Sequence, residues 1–135
     1  MKKVVATFIA MFASLSCFAA DYTAGQVWSY KTRPGEEASV LTILKVDSDK
    51  AWRQIIHIRL DGLRVRKVDG SIIEYIAHMP FAKTAIDKSV TKLLRTEAEV
   101  PDFSRGYDAW KQAKAAPMKE PINEVVEGLA QQLAK

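Results

Sequence analysis

The sequence predicts an α+β domain: an antiparallel sheet of about four or five strands in the N-terminal half, followed by about three helices packed on one sheet face. Three observations carry this. Segments 26–32 and 52–60 alternate with a period of two, and 40–46 is apolar and β-branched. Asp-Gly pairs stand at 61–62 and 69–70, where strands reverse. After Pro80 the apolar residues recur at helical spacing.

In the first strand, Gln26 to Thr32, Trp28, Tyr30 and Thr32 share one face and Val27, Ser29 and Lys31 the other. Arg33-Pro34-Gly35-Glu36 fits a type II turn, with Pro fixing the first central residue and Gly taking positive φ at the second. Type II turns suit tight hairpins poorly, so a longer connection leads to the second strand, Val40 to Val46. In the third, Trp52, Ile56, Ile58 and Leu60 face one way and Arg53, Ile55, His57 and Arg59 the other. Asp61-Gly62 then reads as a two-residue type I′ hairpin, with Leu63 to Val68 returning. Asp69-Gly70 precedes Ser71 to Ile76, which is a fifth strand or the way out to the helices.

Pro80 suits the first turn of a helix carrying Ala82, Ala85, Ile86, Val90, Leu93 and Leu94 on its apolar stripe. A second helix spans Ser104 to Ala115, with Ser104 as its cap, Tyr107 and Trp110 near one stripe, and Pro117 beyond its end. Pro121 opens a third, with Ile122, Val125, Val126, Leu129 and Leu133 inward. The three tryptophans are spaced as core residues.

The chain starts as an exported protein does. Lys2 and Lys3 precede an apolar run from Val4 to Leu15, and small residues follow at Ser16, Cys17, Ala19 and Ala20. Residues 1–19 are therefore read as a secretory signal and 20–135 as one domain, directed to the periplasm or secreted. Cleavage after Ala19 puts small Cys17 three positions before the cut; cleavage after Ala20 puts bulky Phe18 there and fits less well. A lipid anchor at Cys17 is disfavoured because the leucine of Ser14-Leu15-Ser16-Cys17 sits one position too late. The apolar run is short for a spanning helix, which needs about 20 residues.

Losing Lys2 and Lys3 lowers Lys+Arg from 20 to 18 against 16 Asp+Glu, and the net charge from +4 to +2. So mild a charge makes no case for nucleic acid. Cys17 is the only cysteine, so cleavage leaves a thiol-free domain with neither disulfides nor thiol chemistry.

The hairpin at Asp61-Gly62 would set Arg59 opposite Arg64 and His57 opposite Arg66. Like charges directly opposite are destabilising. An acidic protein partner would relieve them; so would carboxylates elsewhere in the fold, or splaying into water. At the Pro34-Gly35 tip, Arg33 and Glu36 satisfy one another across a turn or recognise a partner, and the turn is the simpler reading. His57, Arg59, Arg64, Arg66, Arg33 and Glu36 are thus the binding candidates. His78 and Glu74 share a face in an extended segment but make two ligands where zinc needs at least three, so no metal is expected. No nucleophile elbow, phosphate loop or dinucleotide fingerprint is present, so no catalytic residue or cofactor is assigned.

Gly25-Gln26-Val27-Trp28, Tyr30-Lys31-Thr32-Arg33-Pro34-Gly35-Glu36, Leu41-Thr42-Ile43-Leu44, Asp61-Gly62-Leu63, His78-Met79-Pro80-Phe81, and Gly106-Tyr107 with Trp110 lie along nearly the whole mature chain. In these pieces the chain resembles a family of small exported bacterial proteins of unknown function. The resemblance implies no activity, cofactor or site.

Two functions fit. The first is a non-enzymatic periplasmic protein-binding module, of the inhibitor or immunity type, whose basic strand face covers an acidic cleft. The second is a small envelope enzyme or ligand carrier with a pocket between sheet and helices, in which His57 or His78 works with a carboxylate. A concave pocket with a histidine and a carboxylate within hydrogen-bond reach favours the second.

Overall fold

The computed structural model describes residues 20–135; the expected signal, with Cys17 and Ala19, lies outside the described residues. Five strands form one sheet: β1 (Gln26–Tyr30), β2 (Val40–Asp49), β3 (Arg53–Arg66), β4 (Ile72–Ala82) and β5 (Val90–Thr96). Their order is β4-β3-β2-β1-β5, and every pairing is antiparallel. Three helices accompany it: α1 (Lys83–Ser89), α2 (Ser104–Ala113) and α3 (Ile122–Leu133). The α+β class is as the sequence predicts. Among the described residues no helix is long and apolar enough to cross a membrane.

The 31–39 connection contains the expected type II turn. Glu36 N–H donates to Arg33 O at 3.1 Å, and Gly35 takes the positive φ of 88°. The hairpin at Asp61-Gly62 does not form. β3 runs straight through both residues because it has a neighbour on each side: β2 pairs as far as Val40 with Asp61, and β4 pairs beyond, to Arg66 with Ile72. Folding back at Gly62 would forfeit both ladders. Gly62 keeps a positive φ of 81°, but uses it in a register shift between Asp61 and Val65. That extra residue reverses the facing pattern, so Leu60, Leu63 and Val65 all enter one core.

The reversal comes at the second Asp-Gly pair. Gly70 N–H donates to Lys67 O at 2.9 Å, and the Asp69 carboxylate takes Ser71 N–H at 2.9 Å. The strand that follows carries Pro80, which therefore does not start a helix. β4 is an edge strand, where a residue without an N–H is tolerated. Met118 N–H bonds Pro80 O at 2.9 Å, covering part of that edge.

The first helix also stops early. Val90, Leu93 and Leu94 have helical spacing, yet they lie in β5, laddered on the edge of β1. Tertiary pairing outweighs local periodicity here. The N-cap position of α2 falls on Phe103, not Ser104, and makes no side-chain cap bond; the Asp102 carboxylate before it takes Ser104 N–H at 2.9 Å, and the helix ends where Lys114 turns left-handed.

The main core lies on one sheet face: Leu41, Ile43, Ile56, Ile58, Leu60 and Phe81 meet Ile86 of α1 and Ile122 and Val126 of α3. α2 is the exception to the expected one-sided packing. It lies on the other face, over the odd-numbered side of β3 at His57. That half-strand is apolar on both faces, since Ile55 and His57 are buried as well as Ile56 and Ile58, so a second layer is required to cover it.

Candidate functional site

A register shift between Ile43 and Lys45 of β2 sets Lys45 opposite His57 and Asp47 opposite Ile55, on the face beneath α2. His57 is fully buried there. Its Nε2 lies 2.9 Å from Asp47 Oδ2 and its Nδ1 lies 2.8 Å from His78 Nε2. An ionised carboxylate only accepts, so His57 donates through Nε2. Neutral His57 then accepts at Nδ1, and His78 donates through Nε2. The two rings are nearly coplanar, 15° apart with centroids 5.1 Å apart, the arrangement of an edge-to-edge N–H···N bond rather than of stacked faces.

Asp47 collects further partners. Tyr107 of α2 donates its hydroxyl to Oδ2 at 2.8 Å, and Lys45 Nζ lies 3.3 Å from Oδ1. Tyr107 and Trp110 each meet the His57 ring at steep angles with centroids 4.9 Å away, and Phe103 flanks His78. α2 comes this close because residue 106 is glycine: a Cβ there would stand 2.8 Å from His78 Cβ.

Burial lowers the His57 pKa, outweighing the upward pull of Asp47. His78 falls further, to about 4, through burial and then repulsion from His57. Burial alone would raise Asp47, but the hydrogen bonds from Tyr107 and His57 hold it below the usual carboxylate value. Burial, then the bond to Asp47, pushes Tyr107 up to about 12. Both histidines thus bind protons less readily folded than unfolded, so stability is full above the ordinary histidine value and falls as pH drops through it toward about 4. Melting temperatures from about pH 7.5 to about pH 4.5 should fall in the wild type and fall less in His78→Gln. Parallel curves for the two proteins would refute this assignment.

Beside the chain, a cleft of about 620 Å³ opens between α2 and the Asp47 end of β2 and β3. Asp47, Trp52, Ile55, Tyr107, Trp110 and Lys111 line it, with Lys114 at its edge. Trp110 Nε1 is the single buried side-chain polar atom without a partner among the described residues. Among them, too, no three His, Asp or Glu side chains are placed to hold a metal ion.

Of the residues singled out from the sequence, His57 and His78 belong to this site, without Glu74, and His57 faces Lys45 and Pro80 across its neighbouring strands, not Arg66. Arg59 does not face Arg64; it pairs with Asp61 at 2.9 Å and lies over the Tyr75 ring, 4.5 Å from its centroid. Arg64 and Arg66 are exposed farther along β3. Arg33 and Glu36 form a clamp: Glu36, 2% exposed, takes two Arg33 bonds at 2.8 and 2.9 Å and Arg64 N–H at 2.7 Å. Arg33 also reaches Glu127 of α3 at 3.0 Å. The Pro34-Gly35 tip thereby fastens the 31–39 connection to β3 beyond the point where β2 stops pairing.

Sequence reasoning missed Asp47 and placed Tyr107 and Trp110 in ordinary packing. A signal was present: His57 stands between Ile55, Ile56 and Ile58, where a buried imidazole needs partners for both nitrogens.

Comparison with protein-family models, with curated proteins and with solved structures finds no match. Function is therefore read from the geometry alone.

Proposed function

We propose that this is an exported, periplasmic ligand-binding domain that takes a small planar anion in the cleft between α2 and the Asp47 end of the sheet. The observation that carries it is the unpartnered Trp110 N–H, a buried donor on a side chain that lines an open cleft. Native proteins rarely leave such a group unmatched, because it forfeits about 1–3 kcal/mol. An acceptor oxygen on a ligand would match it after a small rotation of the indole. Trp52, Tyr107 and Trp110 offer ring surfaces, and exposed Lys111 and Lys114 offer positive charge. Asp47 and Asp49 also line the cleft; Lys45, His57 and Tyr107 engage the first, and the Ala51 and Trp52 N–H groups bond the second, which offsets part of their repulsion of an anion.

This is the ligand-carrier reading; the cleft holds the Asp47 carboxylate, and the histidine 2.9 Å from it, His57, is buried behind the wall and does not line it. The reading as an inhibitor or immunity-type protein drew on export, small size, absent catalytic motifs and arginines opposed across a hairpin; it loses the last of these, since β3 passes through that point unbroken.

The test is an NMR titration of the mature domain with benzoate and indole-3-acetate, alongside butyrate as a non-aromatic control. The Trp110 indole N–H signal should move and saturate with the aromatic acids, and the effect should weaken several-fold in a Lys111→Glu, Lys114→Glu double variant. If neither aromatic acid moves that signal at millimolar concentration, the proposed ligand class is wrong.

A further inference from the structure

His78 spends Nε2 on His57 and keeps Nδ1 unused. Among the described residues nothing bonds Nδ1, which stands beside Gly106 of α2, 3.1 Å from where a Cβ there would lie. His78 lines a second groove, of about 460 Å³, on the far side of α2 from the first cleft. Ile76, Ala77, Phe103 and Ala109 make its walls largely apolar, and Asp102 and Arg105 stand on its rim.

We propose that the Asp47–His57–His78 chain presents His78 Nδ1 as a general base to a ligand in this groove, one with an apolar body and a weakly acidic O–H or N–H. The proton would pass from the ligand to His78 Nδ1 while the Nε2 proton of His78 crosses the 2.8 Å bond to His57 Nδ1. His78 ends neutral in its other tautomer. His57 ends as an imidazolium 2.9 Å from the Asp47 carboxylate, and the negative charge stays on the ligand near Arg105. The second histidine thus carries the new positive charge from the groove to the Asp47 carboxylate, which offsets part, not all, of the cost of charging a buried ring. The charged and titratable groups around the relay are Asp47 and Lys45 of β2, Tyr107 and Arg105 of α2, and Asp102 before α2. His78 as a base does not depend on what the first cleft binds.

Three measurements on the mature domain test this. Long-range proton–nitrogen NMR at neutral pH should show His57 and His78 both as Nε2–H tautomers; a proton on His78 Nδ1 would overturn the proposal. Diethyl pyrocarbonate should acylate His78 at rates differing less than twofold between about pH 5.5 and about pH 7.5, where an ordinary histidine changes roughly tenfold. A tenfold change, or no acylation of His78, counts against it. Acylation of His78 at neutral pH should slow several-fold in His57→Gln, which cannot take up the Nε2 proton of His78. An unchanged rate would exclude the relay, and the wild-type NMR and acylation results stand as tests even if the variant fails to fold.

Discussion

Glu36→Ala should lower the stability of the mature domain by about 3 kcal/mol, and its melting temperature by roughly 10 °C. The carboxylate is 2% exposed and receives two Arg33 bonds and the Arg64 N–H. Alanine would strand a mostly covered guanidinium and leave a strand N–H without its acceptor. The loss falls at the low end of the range for a broken buried pair because Glu127 still holds Arg33. Burial works to raise the Glu36 pKa, but the bonds from Arg33 and Arg64 hold it below the ordinary glutamate value. Its stabilisation is therefore present at neutral pH and is lost as pH falls through that lowered value. Glu36→Gln keeps one acceptor oxygen and should cost about half as much. Urea denaturation at neutral pH measures all three proteins, and a loss below about 1 kcal/mol for alanine would mean the clamp contributes no more than a surface ion pair.

Asp47→Ala should cost about 2–4 kcal/mol and should loosen α2 selectively. It removes the acceptor for a fully buried His57 Nε2–H and for the Tyr107 hydroxyl together. α2 has no fully buried residue, so its Tyr107 anchor matters more than a single hydrogen bond would in a well-packed helix. Hydrogen exchange should show α2 amides losing protection while β2 and β3 keep theirs. Asp47→Asn retains an oxygen for His57 and should keep most of the stability. Uniform loss of protection across the domain would indicate that α2 opens only with global unfolding.

The type II turn at Pro34-Gly35 was legible because its two central residues suffice to set its dihedrals. Trp52 to Leu60 was legible as a strand because β-branched isoleucines stand at its centre and Ile56, Ile58 and Leu60 recur every second position. Asp61-Gly62 and Asp69-Gly70 look alike locally, and only the second turns. Gly62 meets two flanking strands that gain more from a continuous β3, whereas Gly70 has none to interrupt. Val90 to Leu94 failed for the same reason in reverse: an amphipathic pattern yielded to the free edge of β1.

The site was half legible. His57 stood out, but as part of an outer basic face, and its partners come from residues 47, 78 and 107, on three other elements. Gly106, which lets α2 approach His78, carried no such meaning in the sequence reading. The opposed arginines were an artefact of the assumed hairpin, because a bulge keeps the strand going where a turn would have folded it.

By itself the sequence determined the α+β class, the Pro34-Gly35 turn and the third helix, since each follows from residues within a few positions of one another. Only the tertiary structure decided which Asp-Gly pair reverses the chain, which sheet face α2 covers, and that Asp47, His57 and His78 form one hydrogen-bonded line. Those outcomes depend on which strand edges are already paired and which buried polar atoms still need a partner, and such competition between distant segments leaves no local mark.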